Sequence, residues 1–304
     1  MHKARFKDWL ICSAASFLLF MAGLSFPFLA LPATMIFSLP FAFLALDRGT
    51  AAALSCAAFV MLAMGFAVPI SYVLMYSAMF ALPGVFMGAL ARRAWNVGNL
   101  LVASVGAEFA GKIAAVLMYF RVSGVNLLSP DTAEIEKFMM SLGGTATELQ
   151  IRAISSQVVM LIPYSIMLFS ALEALFCLTL ASCIHKKRTG ETAFPLPPFS
   201  EWAFPKSTLL ALASGLVCSH FSSGRANMYA VAQIGVNLVE MSRTLFLVQG
   251  LSCMYYFMEM RGFPKFMRVM AVIFAPVVSI FGYALAIAGV VDMGFNLRKK
   301  SGRA

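Results

Sequence analysis

Glu108, Lys112 and Glu173 are the side chains best placed to do chemistry, because each stands inside a long apolar stretch. Ionisable groups at membrane depth are costly and are kept for binding, ion handling or helix pairing. Glu108 and Lys112 are four residues apart, so they share one helix face in the favourable acid-before-base order. Ala103, Ala107 and Gly111 form a small-residue stripe beside them that permits close helix contact. Glu173 lies near the middle of the next long helix, and helices adjacent in sequence are often adjacent in space. Together the three would form a polar site of net charge −1, suited to a cationic or zwitterionic solute. The same residues also fit a simpler role, in which Glu108 and Lys112 neutralise each other and hold two helices together.

A second set lies further along the chain. Glu240 and Arg243 are three residues apart in an apolar segment that also carries Asn237 and Gln249. That helix either lines a polar cavity or turns its polar face to neighbouring helices, since amides often hydrogen-bond between spans. Gln157 and Tyr164, with Tyr119, lie toward helix ends where they either add to a binding pocket or anchor the helices at the membrane interface. Pro163 frees a backbone carbonyl, marking a kink or a solute contact.

Catalytic machinery is missing from the sequence. It has no G-x-x-x-x-G-K-[ST] loop, no H-E-x-x-H and no G-x-S-x-G elbow. The three histidines show no ligand spacing, and the six cysteines lie in apolar segments without a C-x-x-C pair. We therefore expect no enzyme, no metal and no cofactor. Any uphill movement of solute would draw on a partner ATPase or an ion gradient.

The elements that position these residues follow from composition. Of 304 residues, 61% are hydrophobic and 12% charged, against about 25% charged in ordinary globular domains. Mean hydropathy is +0.85. The fold expected is an all-α, polytopic bundle of membrane helices embedded in a lipid bilayer. The net charge of +10 sits in short basic clusters at span ends, as topology requires, and gives no reason to expect a nucleic-acid partner.

Trp9 to Leu46 carries no charge and would measure about 57 Å as one helix, roughly twice a hydrocarbon core. Pro27 and Pro32 divide it into spans near 10–26 and 30–46. The basic N-terminus and the first run are read as a retained span, not a cleaved signal. Spans near 50–68, 70–91 and 98–120 follow. In the connection 121–152, Ser129-Pro130-Asp131 and Gly143-Gly144 bound a short amphipathic helix. Thr145 and Glu148 are spaced as a capping box, which would start a sixth helix running over 147–184.

The segment 185–206 reads as a cytoplasmic Pro-rich linker, and apolar segments follow near 207–223, 228–258 and 269–291. Three parts result: a six-helix membrane domain over 1–184, the linker 185–206, and C-terminal helices with a basic tail over 207–304. An inside N-terminus places Arg48, Arg92-Arg93 and Lys186–Arg188 in the cytoplasm and 121–152 outside. The end of the chain fits less well. Nine spans put Arg298-Lys299-Lys300 outside, whereas eight put Arg261, Lys265 and Arg268 outside. The expected location is the bacterial inner (cell) membrane, with several crossings.

The stretch Ser38–Phe59, SLPFAFLALDRGTAAALSCAAF, following a first helix and a proline turn, resembles the substrate-binding S components of energy-coupling-factor vitamin transporters. Over nearly the whole chain the sequence resembles the YybS-like family of uncharacterised bacterial membrane proteins. Pro197-Pro198, Trp202, Asn237, Gln249-Gly250, Gly289, Asp292, Phe295 and Arg298-Lys299 carry that likeness. Glu240 and Arg243 depart from the family pattern.

The S-component resemblance implies a six-helix bundle that captures a small solute and depends on a coupling subunit and ATPases. The YybS-like resemblance implies no established activity. Some S components bind nickel or cobalt through a histidine after the initiator Met. His2 is present here, but the acidic and glycine residues that should follow are not. Two functions stay open. One is a solute-binding transport subunit with docking faces at Ala53/Ala57 and Ala63/Ala67. The other is a non-transporting scaffold or regulator whose Pro-rich segment and basic tail dock a cytoplasmic partner.

Overall fold

The computed structural model describes residues 2–93, 96–128, 131–141, 147–222 and 225–300. The chain divides into two compact units, Met1–Leu196 and Pro197–Ala304, a division that falls inside the segment 185–206. The described residues form helices joined by turns, and large apolar side chains such as Phe66, Leu149 and Ile280 are 75–88% exposed. Such a surface suits lipid, which hydrogen-bonds to nothing and so leaves helices to satisfy their own backbone.

The first unit begins with α1 (His2–Ser25) and α2 (Pro27–Phe37). Next come α3 (Leu39–Arg48), α4 (Thr50–Gly65), α5 (Ile70–Tyr76) and α6 (Leu82–Arg92). It ends with α7 (Val97–Ser123), α8 (Thr132–Ser141), α9 (Glu148–Met160) and α10 (Ile162–Thr189). Prolines set several of the breaks. Pro27 opens α2, Pro40 lies in the first turn of α3, and Pro163 lies in the first turn of α10. At those positions the missing N–H would have had no helical partner.

Pro83 is handled differently. A π-turn over Ser77–Ala81 joins α5 to α6, with the Leu82 N–H donating to the Ser77 carbonyl five residues back. Shifting the register just ahead of Pro83 lets the run continue past a residue that cannot donate.

Two expected helices are therefore interrupted. The span expected over 30–46 is split at Ser38, and the sixth helix, expected unbroken over 147–184, is split at Leu161. The latter also runs on to Thr189, so Lys186–Arg188 end a helix and do not begin a linker. Thr147 and Gln150 form the capping box of α9. The expected box at Thr145, and the expected boundaries Ser129-Pro130 and Gly143-Gly144, lie outside the described residues.

In the second unit, a short 3-10 turn (Phe199–Glu201) precedes α11 (Ser207–Ser222) and α12 (Tyr229–Met260). Then come α13 (Lys265–Phe274), α14 (Ser279–Phe295) and α15 (Leu297–Lys300). Among the described residues, five helical runs are long and apolar enough to cross a membrane: Phe6–Ser25, Ile70–Arg92, Val97–Ser123, Ile162–Thr189 and Tyr229–Met260. The pair Lys265–Val277 and Ser279–Phe295, bent by 107°, would make six. Nine, or eight, is not reached by length and composition, because α4 and α11 have 16 residues each and α2 and α3 are shorter still.

The core of the first unit lies where α3 meets α6, α4 and α10. Phe41, Leu44, Val60, Met64 and Leu178 are fully buried there. Tyr76 gathers Phe20, Phe37, Phe41 and Phe80 around its ring at 5.2–6.5 Å.

Candidate functional site

α7 and α10 pack together and carry the three central ionisable residues onto a shared interface. Close approach of α7 depends on Gly111, where a methyl group would collide with the Ala78 carbonyl of the π-turn. Lys112 Nζ lies 2.8 Å from Glu108 Oε2 and 2.7 Å from Glu173 Oε2. Glu108 is 0% exposed, Glu173 1% and Lys112 8%, so water does not reach the cluster freely.

Two carboxylates therefore share one ammonium. In their ionised forms they leave an excess of one negative charge inside the bundle. Glu108 Oε1 and Glu173 Oε1 have no hydrogen-bond partner among the described residues. Ser38, buried at the break between α2 and α3, faces Glu108 without meeting hydrogen-bond geometry. Ser104, one turn before Glu108, is buried with an unpartnered hydroxyl. Cys177, one turn after Glu173, donates to the Met35 carbonyl at 3.3 Å, so α2 closes over this side of the cluster. Buried polar atoms are normally paired, and four unpaired oxygens in one region mark a place that a proton, cation or solute could complete.

The other expected pocket residues are elsewhere. Gln157 is exposed on α9. Tyr164 lies on α10 nine residues before Glu173, about 13 Å along the axis. Neither joins the triad, because the break at Leu161 separates α9 from α10 and a helix holds its residues at fixed rise.

The polar set on α12 also separates. Asn237 donates to the Gln233 carbonyl of its own helix at 2.6 Å. Glu240 and Arg243 pair at 3.2 Å with side chains 25% and 53% exposed. The Arg243 guanidinium stands 5.4 Å from the Tyr283 ring centre. Gln249 alone of the four is fully buried.

Gln249 belongs to a cluster that sequence reasoning missed. Its amide donates to Asp292 on α14 and accepts from the Phe204 N–H at 2.9 Å. Arg298 engages Asp292 Oδ2 through Nε at 3.1 Å and through one terminal nitrogen at 2.7 Å. Its remaining N–H groups reach the carbonyls of Ser200 and Trp202 at 2.7 and 2.8 Å and the Ser252 hydroxyl at 3.0 Å. All five guanidinium donors are thus engaged. α12 and α14 come close enough for this because a methyl at Gly250 or Gly289 would meet the Leu285 or Phe246 carbonyl. The signal available in the sequence was Asp292 itself, an acid at the end of an apolar segment.

A third network was also missed. Asp8 accepts from Arg48 at 2.6 Å and Arg188 at 2.8 Å, while Asp47 faces Arg48 at 3.0 Å and His185 at 3.2 Å. It ties the start of α1 and the end of α3 to the end of α10. The Ala53/Ala57 face is 0–4% exposed and packed inside the unit, so it is no docking surface.

Scattered landmarks of the C-terminal third, Trp202, Gln249-Gly250, Gly289, Asp292 and Arg298, thus converge in one cluster. A family model described as a predicted membrane protein (DUF2232) matches residues 14–293. The chain belongs to the DUF2232 family. It is a multi-pass membrane protein that is also similar to the uncharacterized protein YybS of Bacillus subtilis (strain 168), at 33% identity over 106 residues. That match covers 34% of this chain and 33% of YybS, so the chain spans about a third of the length of the curated relative it matches. No solved structure matches the chain.

Proposed function

We propose that this DUF2232 protein is a solute-binding membrane subunit whose site is the Glu108–Lys112–Glu173 triad, and that its solute is a small cation or zwitterion. The observation that carries this reading is the excess of one carboxylate over ammonium groups in a sealed interface, with one oxygen on each carboxylate left unpaired. A solute amine would take the place of the missing counter-charge. The resemblance of Ser38–Phe59 to energy-coupling-factor S components adds a coupling subunit and ATPases as partners. It also favours a six-helix first part, the bacterial cell membrane and a cytoplasmic N-terminus. The protein's own residues bind and orient the solute and catalyse no bond change.

Thermal shift of purified protein across vitamins and amines tests this. Wild type is expected to respond to a cationic or zwitterionic compound, and folded Glu173→Gln to lose that response. Full binding by folded Glu173→Gln overturns the site.

A second reading, a non-transporting scaffold or regulator, is favoured by one observation. Arg298, Ser252 and Gln249 fix the backbone of residues 199–204, while Pro197, Pro198 and Glu201 remain exposed beside it. A rigid, exposed Pro-rich segment suits a cytoplasmic partner. Co-purification separates the two readings, since recovery of a coupling subunit with ATPases supports the first and rejects the second.

A further inference from the structure

The segment from Arg261 onward holds a puzzle that the sequence leaves open. Arg261, Lys265 and Arg268 lie at the start of the last apolar segment and Arg298 at its end, so a single crossing would put one basic group on the wrong side of the membrane. The geometry of the second unit resolves it.

α12 serves as the ruler. Near its C-terminal end, the Arg268 guanidinium of α13 pairs with Glu259 at 2.6 Å and covers the Tyr255 ring at 4.8 Å. On the next residue, Tyr256, the hydroxyl donates to the Arg298 carbonyl at 3.5 Å, and the Arg298 side chain holds Ser252 at 3.0 Å. The start of α13 and the end of α14 therefore lie level with the same two turns of α12.

The bend between them is level with an earlier part of α12. Pro276, Ser279 and Tyr283 line a cavity of 170 Å³ with Arg243 and Leu247. Arg243 lies twelve residues before Tyr255, about 18 Å along the axis. α13 and its 3-10 extension, Lys265–Val277, span 13 residues or about 20 Å, short of a ~30 Å hydrocarbon core. At Val278 the chain turns by 107° and α14 runs back.

We infer that residues 265–295 form a re-entrant hairpin, which enters and leaves the membrane on one side and places its tip, Pro276–Ser279, inside the bilayer beside Arg243. The same end of the unit holds residues 199–204, bound by Gln249, Ser252 and Arg298. α11 leaves that end and α12 returns to it, because Gly235 of α12 backs onto Cys218 and Ser219 of α11, and Gly215 onto Leu238. Residues 199–204, the 261–264 turn and Arg298 thus share one face of the unit, and Arg261, Lys265, Arg268 and Arg298 fall on one side, as the charge rule asks. Irregular backbone at membrane depth persists only where protein or water satisfies it. The Arg243 cavity provides that setting, which also explains how a half-exposed arginine pair is tolerated there. This arrangement does not depend on the triad of the first unit.

A membrane-impermeant maleimide on right-side-out and inside-out vesicles tests the hairpin. Single cysteines are introduced as Lys265→Cys, as a residue appended after Ala304, and as Val277→Cys, with the wild-type signal subtracted and size-exclusion elution confirming folding. Lys265→Cys and the appended cysteine are expected to label from the same face, and Val277→Cys not to label from the opposite one. Labelling of the two ends from opposite faces makes the segment one broken span and overturns the inference. So does failure of Lys265→Cys to label from either face, or labelling of Val277→Cys from the far side.

Discussion

Glu173 reaches Lys112 at 2.7 Å across the interface of α7 and α10, while Glu108 holds the same ammonium from one turn away at 2.8 Å. One cation thus serves two carboxylates in a place that is almost closed to water. Removing different members should have different consequences, which separates binding from architecture.

Glu173→Gln leaves Glu108 and Lys112 as a neutral pair of unchanged shape. The variant is expected to unfold within about 1–2 kcal/mol of wild type while losing at least tenfold in affinity for a cationic or zwitterionic solute. Thermal unfolding in detergent and a ligand-shift series measure the two effects separately.

Lys112→Met strands both carboxylates. A buried charge without its partner is expected to cost about 3–5 kcal/mol, visible as a lower unfolding midpoint. The triple variant Glu108→Gln, Lys112→Met and Glu173→Gln removes every charge and should recover most of that loss. A triple variant no more stable than Lys112→Met would show that the triad's charges are not the source of the defect.

Arg298→Ala removes the group that ties residues 200–202 to Asp292. The same range, about 3–5 kcal/mol, is expected, and Arg298→Lys should fall between it and wild type because an ammonium cannot reproduce the guanidinium fork. Trp202 emission should shift to the red as its segment detaches. An unchanged spectrum in a folded Arg298→Ala protein would count against the clamp.

Gly250→Ala and Gly289→Ala each push a methyl into a facing carbonyl. About 1–3 kcal/mol of destabilisation is expected from each. Because both act at one helix crossing, the double variant should lose less than the sum. Chemical denaturation in mild detergent measures all three.

Spacing along a single helix was legible in the sequence. Glu108 and Lys112 meet because four residues make about one turn, and Glu173 joins them because its helix packs against theirs. Gln157 and Tyr164 stand apart from the triad, Tyr164 by nine residues of the same helix and Gln157 beyond the break at Leu161, which hydropathy does not register. The crossings expected also exceed the five or six that helix length marks out among the described residues, in part because Ser38 divides an apolar run whose composition never changes.

The Asp292–Arg298 cluster was hidden for a different cause. Three of its acceptors are backbone carbonyls or a serine hydroxyl, which carry no sequence pattern. Arg298 also stands among lysines that read as a topology signal. The YybS-like landmarks named the right residues there without saying that they touch.

Full engagement of the Arg298 guanidinium fixes where the protein can be trimmed or tagged. A reporter fused beyond Lys300 is expected to leave those hydrogen bonds in place. A deletion that reaches back through Arg298 would unfasten a segment nearly a hundred positions earlier, so shortened versions chosen from hydropathy alone, ending just after the final apolar helix, should express poorly.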